Sequence, residues 1–159
     1  MLKNFLWVFF ISMVPLIELR GAIPVYQALK LPVISSYIVS IIGNMIPVPF
    51  IFLFARKFLE WGKDKRLVGG ICRFFLLRGT SAGEKMQAKA GRGLYFALFL
   101  FVGIPLPGTG AWTGTLAASL LDLDGKKTSL AVMGGVLLAG VIMLVLTLLG
   151  FGAASAVAG

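Results

Sequence analysis

No histidine occurs among the 159 residues, and cysteine occurs once, as Cys72. A lone thiol closes no disulfide, and without His or a second Cys neither a thiolate cage nor an imidazole site for a transition metal can be assembled. Acidic residues are scarce too, six Asp and Glu against fifteen Lys and Arg. With no nucleophile–base pair and no cluster of ligands visible, the composition speaks against an enzyme, and no metal or cofactor is expected. Charge of either sign is thin, 13% of residues against 58% hydrophobic, where a soluble domain carries about 25% and about 45–50%. A chain this short cannot hide such an apolar excess in a water-facing core, so the bilayer has to be part of its solvent. The expectation is one all-α transmembrane domain over residues 1–159.

The cations that are present cluster. Residues 56–92 hold ten of the fifteen, Arg56, Lys57, Lys63, Lys65, Arg66, Arg73, Arg78, Lys85, Lys89 and Arg92, against Glu60, Asp64 and Glu84. A short basic connector between apolar segments stays cytoplasmic, because Lys and Arg resist translocation. Nucleic acid is not the expected partner, since no recognition motif accompanies the charge. Leu67, Ile71, Phe74 and Phe75 fall at helical spacing beside Arg66, Arg73 and Arg78. That pattern predicts an interfacial amphipathic helix touching lipid headgroups, structural in role. Near the N-terminus, Lys3 and the apolar run to Leu16 imitate a signal peptide, but Glu18 and Arg20 follow and no small-residue cleavage pattern does, so retention is expected.

Only two uncharged apolar runs are long. Val33 to Ala55 is 23 residues and Thr128 to Phe151 is 24, and at about 1.5 Å per residue either crosses a hydrocarbon layer of about 30 Å. Asn4 to Val14 and Leu94 to Ile104 are 11 residues each, about 16 Å and half a bilayer. The first meets Pro15, Glu18, Arg20, Gly21 and Pro24; the second meets Pro105, Pro107, Gly108 and Gly110. Each is followed by another short apolar leg, Ala22 to Leu31 and Ala111 to Leu121. A half-length helix, a Pro/Gly break and a second half-length helix is the pattern of a re-entrant hairpin.

The two halves resemble each other at an offset of 90: Pro15-Leu16 with Pro105-Leu106, Gly21 with Ala111, Ala28 with Ala118, Leu31 with Leu121. The expected organisation is a hairpin plus span over 1–55, a basic cytoplasmic connector over 56–92 and a second hairpin plus span over 93–159. With one crossing per unit the units insert in opposite orientations, an inverted repeat whose irregular backbone marks a transporter's midplane site. Both termini then lie outside, and Lys126 and Lys127 fall inside, in keeping with the positive-inside rule. The competing topology turns residues 4–31 and 94–121 into kinked spans, with four crossings and cytoplasmic termini.

The segments PLIELRGAIP at 15–24, GNMIPVPF at 43–50 and FVGIPLPGTGAWTG at 101–114 resemble the small multidrug export protein family, a bacterial and archaeal membrane family similar to the DedA superfamily. The resemblance implies a multi-pass protein of a prokaryotic plasma (inner) membrane, with an inverted pair of re-entrant hairpins each packed on a spanning helix. It also implies an ion-coupled transport role, with movement of lipid-phosphate carriers and proton-dependent drug tolerance as the activities of the DedA relatives. The acidic residue and paired arginines of the DedA pattern are reduced here to Glu18 and Arg20 in hairpin one; hairpin two is uncharged.

Glu18 and Arg20 are the only ionisable residues inside an apolar stretch, and a charge at membrane depth is expensive unless paired or wetted. One reading is a structural Glu–Arg pair or two snorkelling residues. The other is a wet cavity at the hairpin tip in which Arg20 binds an anionic group, bidentately if it is a phosphate, and Glu18 couples protons. In hairpin two, Pro105 and Pro107 stop the first leg, Gly108 and Gly110 let the backbone bend, and Thr109 is expected to cap the second leg. Two facing helix N-termini, one near Gly21, together with Arg20 would form an electropositive centre. Ser36, Ser40 and Asn44 make a polar stripe on the first span, with Asn44 near a hairpin tip, while Ala131, Gly135 and Ala139 read as a close helix contact. Trp112 walls the cavity or packs; Trp7 and Trp61 read as interfacial anchors.

The function expected is a proton-coupled transporter of an amphipathic anion, a lipid-phosphate carrier first. The alternatives are efflux of lipophilic cations and a membrane assembly factor that transports nothing. Membrane lipids, the substrate and protons or ions are the expected partners, and the small size leaves room for a homodimer.

Overall fold

The computed structural model describes residues 2–15, 17–90, 93–106 and 108–158, with side chains for all of these but 89, 90 and 151–158. Among the described residues the chain is helical, with no strand. The elements are α1 (Leu2–Met13), α2 (Glu18–Ala28), α3 (Val33–Gly62), α4 (Gly69–Ala90), α5 (Leu94–Gly103), α6 (Ala111–Leu120) and α7 (Gly125–Ala158). Two of these helices, α3 and α7, are long and apolar enough to cross a membrane. Leu16 and Arg92, singled out in the sequence, lie outside the described residues.

Both long helices exceed their apolar runs. The first was expected to stop at Ala55, but it continues through Arg56 to Gly62. Pro47 and Pro49 remove two amide donors from its middle, and the ladder runs on as a widened π turn over Ile51–Ala55. A π turn leaves carbonyls poorly paired; here the Phe52 carbonyl accepts the Ser119 hydroxyl of α6 at 2.8 Å. The second long helix begins at Gly125 rather than Thr128, because the Asp124 carboxylate accepts the Lys127 amide at 2.9 Å and caps the first turn. Helix α2 likewise starts ahead of expectation and runs through Pro24.

The short helices come in two pairs, α1 with α2 and α5 with α6, and α2 and α6 end alike. Leu31 donates to the Tyr26 carbonyl at 3.1 Å and Lys30 to Gln27 at 3.0 Å; Leu123 donates to Ala118 at 3.0 Å and Asp122 to Ser119 at 3.3 Å. These are two Schellman closures, with Lys30 and Asp122 each at φ 52 where glycine is usual. Arg56 holds the Asp122 carboxylate at 2.8 Å. The ends of α1 and α5, at 13 and 103, keep the offset of 90 read from the motifs. The starts of α2 and α6, at 18 and 111, are 93 apart because the break at 104–110 is three residues longer than that at 14–17, and the long helices start 92 apart, at 33 and 125.

Each long helix receives the first leg of its own half at a glycine. A Cβ on Gly43 would strike the Ser12 hydroxyl and stand 2.6 Å from the Phe9 carbonyl of α1; one on Gly135 would stand 2.8 Å from the Phe99 carbonyl of α5. Helix α2 then lies against both α3 and α7, and α6 lies against α7, α4 and the π turn of α3. Val8, Leu19, Ile23, Tyr26, Leu98, Val102, Val132 and Val136 fill the space between them. Ile34, Ile38 and Ile42 on α3, and Leu130, Leu137 and Val141 on α7, face outward. Apolar stripes of that extent suit acyl chains and not water.

The connector helix is longer than the interfacial helix expected there, and Leu67 lies exposed ahead of it. One face of α4 is taken up inside the protein: Gly79 meets Leu116 of α6 and Gly83 meets Leu121 just after it, with Cys72, Ala82 and Met86 buried on the same side. Ile71, Phe74 and Leu77 remain exposed.

Candidate functional site

The break between α5 and α6 follows from its residues. Helix α5 stops at Gly103, Ile104 is extended at φ −84° and ψ 118°, and Pro105 cannot resume a helical hydrogen bond. Gly108 at φ 83° and Gly110 at φ 141° turn the chain through conformations closed to other residues. The outcome is a set of orphans: the last carbonyls of α5 and the first amides of α6 point into the break without helical partners.

Their partners come from the first turn of α2. Glu18, 5% exposed, accepts the Ala111 amide on one carboxylate oxygen at 3.1 Å and the Trp112 amide on the other at 2.9 Å. Arg20 donates through Nη1 to the carbonyls of Leu106 at 2.8 Å and Thr109 at 3.0 Å. Its Nη2 donates to the carbonyls of Val102 at 3.1 Å and Ile104 at 3.3 Å, and to the Thr109 hydroxyl at 3.0 Å. The carboxylate thus sits on a helix N-terminus and the guanidinium on a helix C-terminus, each sign at the end whose dipole it stabilises. Glu18 holds a left-handed backbone, φ 53, at a cost of about 1–3 kcal/mol that the surrounding contacts must offset.

Several sequence expectations change here. Among the described residues no ion pair joins Glu18 to Arg20; each is spent on hairpin two instead. The N-terminus of α6 is not an open anion site, because Glu18 occupies it. Thr109 does not cap α6: the residue before that helix is Gly110, and the Thr109 hydroxyl lies within 2.9 Å of the Ile104 carbonyl and 2.8 Å of the Leu106 carbonyl. Gly21 lies inside the first turn of α2, its amide on the Ile17 carbonyl at 3.0 Å. Gly110 is required for space as well as for φ, since a Cβ there would overlap the Glu18 carboxylate. Pro105 is half-buried at the break, and Pro107 lies outside the described residues.

Asn44 is buried on α3 with Ser36 and Ser40, and no hydrogen bond among the described residues ties it to the Glu18–Arg20 cluster. The Ser40 hydroxyl bonds within its own helix, to the Ser36 carbonyl at 2.8 Å. Trp112 lines a cavity of about 260 Å³ shared with Pro15, Phe58, Cys72, Phe75 and Arg78, a lining that includes neither Glu18 nor Arg20. A larger one of about 1010 Å³ opens between α4 and α5 and reaches Gly108 and Thr109.

Arg78 is the site residue that sequence reasoning missed, having been assigned to headgroup contact alone. Its guanidinium stands against Gly108, where a Cβ would lie 3.3 Å from Nη1, and over the Phe74 ring at 4.9 Å. It lines both cavities. The available signal was periodicity, which puts Phe74, Arg78, Ser81 and Lys85 on one face of α4; nothing local announced that this face meets the break.

Comparison with known families matches residues 18–142 to the family described as "Putative small multi-drug export protein". No curated protein and no solved structure matches the chain. The match begins at Glu18 with α2 and takes in α3, the connector, the break at 104–110, α6 and the first half of α7. With two helices fit to span a bilayer and a match over most of its length, the chain is a membrane protein that belongs to the small multi-drug export protein family.

Proposed function

We propose that the chain is a proton-coupled transporter of an amphipathic anion, with its substrate site where the two hairpin breaks meet and a lipid-phosphate carrier as the first substrate to test. The observation that carries this reading is the carboxylate of Glu18 lodged on the amides of Ala111 and Trp112. A helix N-terminus is suited to an anion, and here the anion is a side chain that can be neutralised in place. Protonating Glu18 removes its charge, weakens its hold on both amides and opens them to the anionic group of a substrate; loss of the proton returns the side chain and expels the substrate. Arg20 keeps the other end of the break closed meanwhile. Efflux of a lipophilic cation fits less well, because Arg20 is two residues away and Arg78 lines both cavities. Purified protein in liposomes should move a fluorescent phosphatidic acid under a pH gradient, and Glu18→Gln should stop that movement. Gradient-driven flux unchanged in Glu18→Gln removes proton coupling, and liposomes that move neither the lipid nor a cationic dye favour an assembly factor.

The topology that goes with this reading is the inverted repeat, with α1–α2 and α5–α6 as re-entrant hairpins entering a prokaryotic plasma membrane from opposite sides and the connector cytoplasmic. Its support is the matched packing of α1 on Gly43 of α3 and of α5 on Gly135 of α7. Residues 1–55 and 93–159 are then the two units, and a second copy of the chain would wall the pathway. A reporter fused after Gly159 should be active only outside the cell. Cytoplasmic reporter activity would instead select four full crossings.

A further inference from the structure

We infer that the groove between α4 and α5 is a binding site for an anionic membrane lipid, with Arg78 as the ligand of its phosphate. The groove, about 1010 Å³, is large enough for a lipid headgroup and the upper part of its chains. Its walls are apolar, with Phe74, Leu100 and Phe101 among them. Its charges are of one sign: Arg78 and Lys85 supply them, and no acidic side chain lines the groove. The two cations lie seven residues apart on one helix face, about 10 Å, with Ser81 between them. Arg78 is the inner one, against the glycine turn at Gly108. Among the described residues no carboxylate pairs with it and no acceptor binds it; its one specific neighbour is the Phe74 ring. A half-buried guanidinium with its fork unspent suits a phosphodiester, which it can meet with two parallel hydrogen bonds.

The rim decides what carries that phosphate. Leu77, Phe96 and Leu106, on three sides of the groove, are exposed at 71%, 65% and 56%. In a chain that crosses a bilayer such faces meet acyl chains, so a headgroup at Arg78 can leave its tails in the membrane through this opening. A small free anion would make no use of it. Lipid binding here stands without the transport reading and rests on it only for the fate of the bound lipid, since Gly108 and Thr109 belong both to this groove and to the break that Arg20 closes.

The test is binding without a gradient, so that it can succeed where transport fails. The full chain in a neutral detergent is offered equal amounts of palmitoyl-oleoyl phosphatidylglycerol and phosphatidylcholine, and retained lipid is counted by native mass spectrometry. A preference for phosphatidylglycerol of about tenfold is expected, the size of one charge-assisted contact. Arg78→Gln should bring that preference close to parity and Arg78→Lys should restore part of it. Ala97→Phe, which fills the groove without altering its charge, should remove the bound lipid. Equal retention of the two lipids by the wild-type chain overturns the site, as does a preference that survives either Arg78→Gln or Ala97→Phe. Displacement of the lipid by millimolar inorganic phosphate would also overturn it, by making the groove a site for small anions.

Discussion

Arg20→Ala is expected to destabilise the protein by about 3 kcal/mol, the upper end for losing a hydrogen bond to a charged group. The guanidinium donates five hydrogen bonds to four carbonyls and a hydroxyl of hairpin two. Without it the Val102 carbonyl at the end of α5 loses its side-chain donor, and a buried acceptor left unpaired costs about 1–3 kcal/mol; the Ile104 and Leu106 carbonyls keep the Thr109 hydroxyl and a backbone amide each. The single costs do not add, because part of the break can relax toward water. Lysine should fail as a replacement: an ammonium offers three donors from one point, where the site needs a planar fork that spans residues 102–109. Unfolding in detergent, followed by loss of helicity against temperature or denaturant, reads this directly. A loss under about 1 kcal/mol, or full rescue by Arg20→Lys, would mean that the break is held by something else.

Gly110→Ala is expected to be nearly as damaging, for two separable reasons. The first is conformational: φ 141 with ψ −178 lies in a region essentially reserved for glycine, and forcing another residue there costs about 1–3 kcal/mol. The second is steric, because the new Cβ would occupy the place of the Glu18 carboxylate, 2.8 Å from its carboxyl carbon. Driving Glu18 away strips two charge-assisted hydrogen bonds from the start of α6, each worth about 1.5–3 kcal/mol. The two parts come apart in a double-mutant cycle. In a Glu18→Ala background the steric part has nothing to displace, so Gly110→Ala should then cost only the conformational part. A cost for Gly110→Ala that is the same with and without Glu18 would disprove the steric account.

Much of this architecture could be read from residue order alone. The all-helical class, the two long apolar helices, and the placing of α5 and α6 to within a residue of their observed ends follow from where charge, Pro and Gly interrupt apolar runs. The same reading singled out Glu18 and Arg20, because a charge in an apolar stretch requires an explanation. It could not find their partners. All but one of those partners, the Thr109 hydroxyl, are backbone groups 82–94 residues further along the chain, and a backbone carbonyl or amide leaves no mark on sequence composition. Thr109 illustrates the limit: a hydroxyl one residue before Gly110 looks like a cap, but the cap position is Gly110 itself and the hydroxyl turns back to the Ile104 and Leu106 carbonyls. The end of α3 was misjudged for a simpler reason. Arg56 and Lys57 mark where apolar character stops, and helices do not have to stop there. Arg78 was legible as one more cation of a basic connector, and its difference from the others lies wholly in the groove that it faces.

The crossing of Glu18 and Arg20 into hairpin two also bears on how the molecule is put together. Both charges that close the ends of α5 and α6 are made before those helices exist, since they sit in the first 20 residues of the chain. Help also runs the other way, since the Ser119 hydroxyl of α6 reaches the Phe52 carbonyl in the π turn of α3, but the facing ends of α5 and α6 stay open until Glu18 and Arg20 lie beside them. Synthesis from the N-terminus therefore supplies both charges before the helix ends that need them.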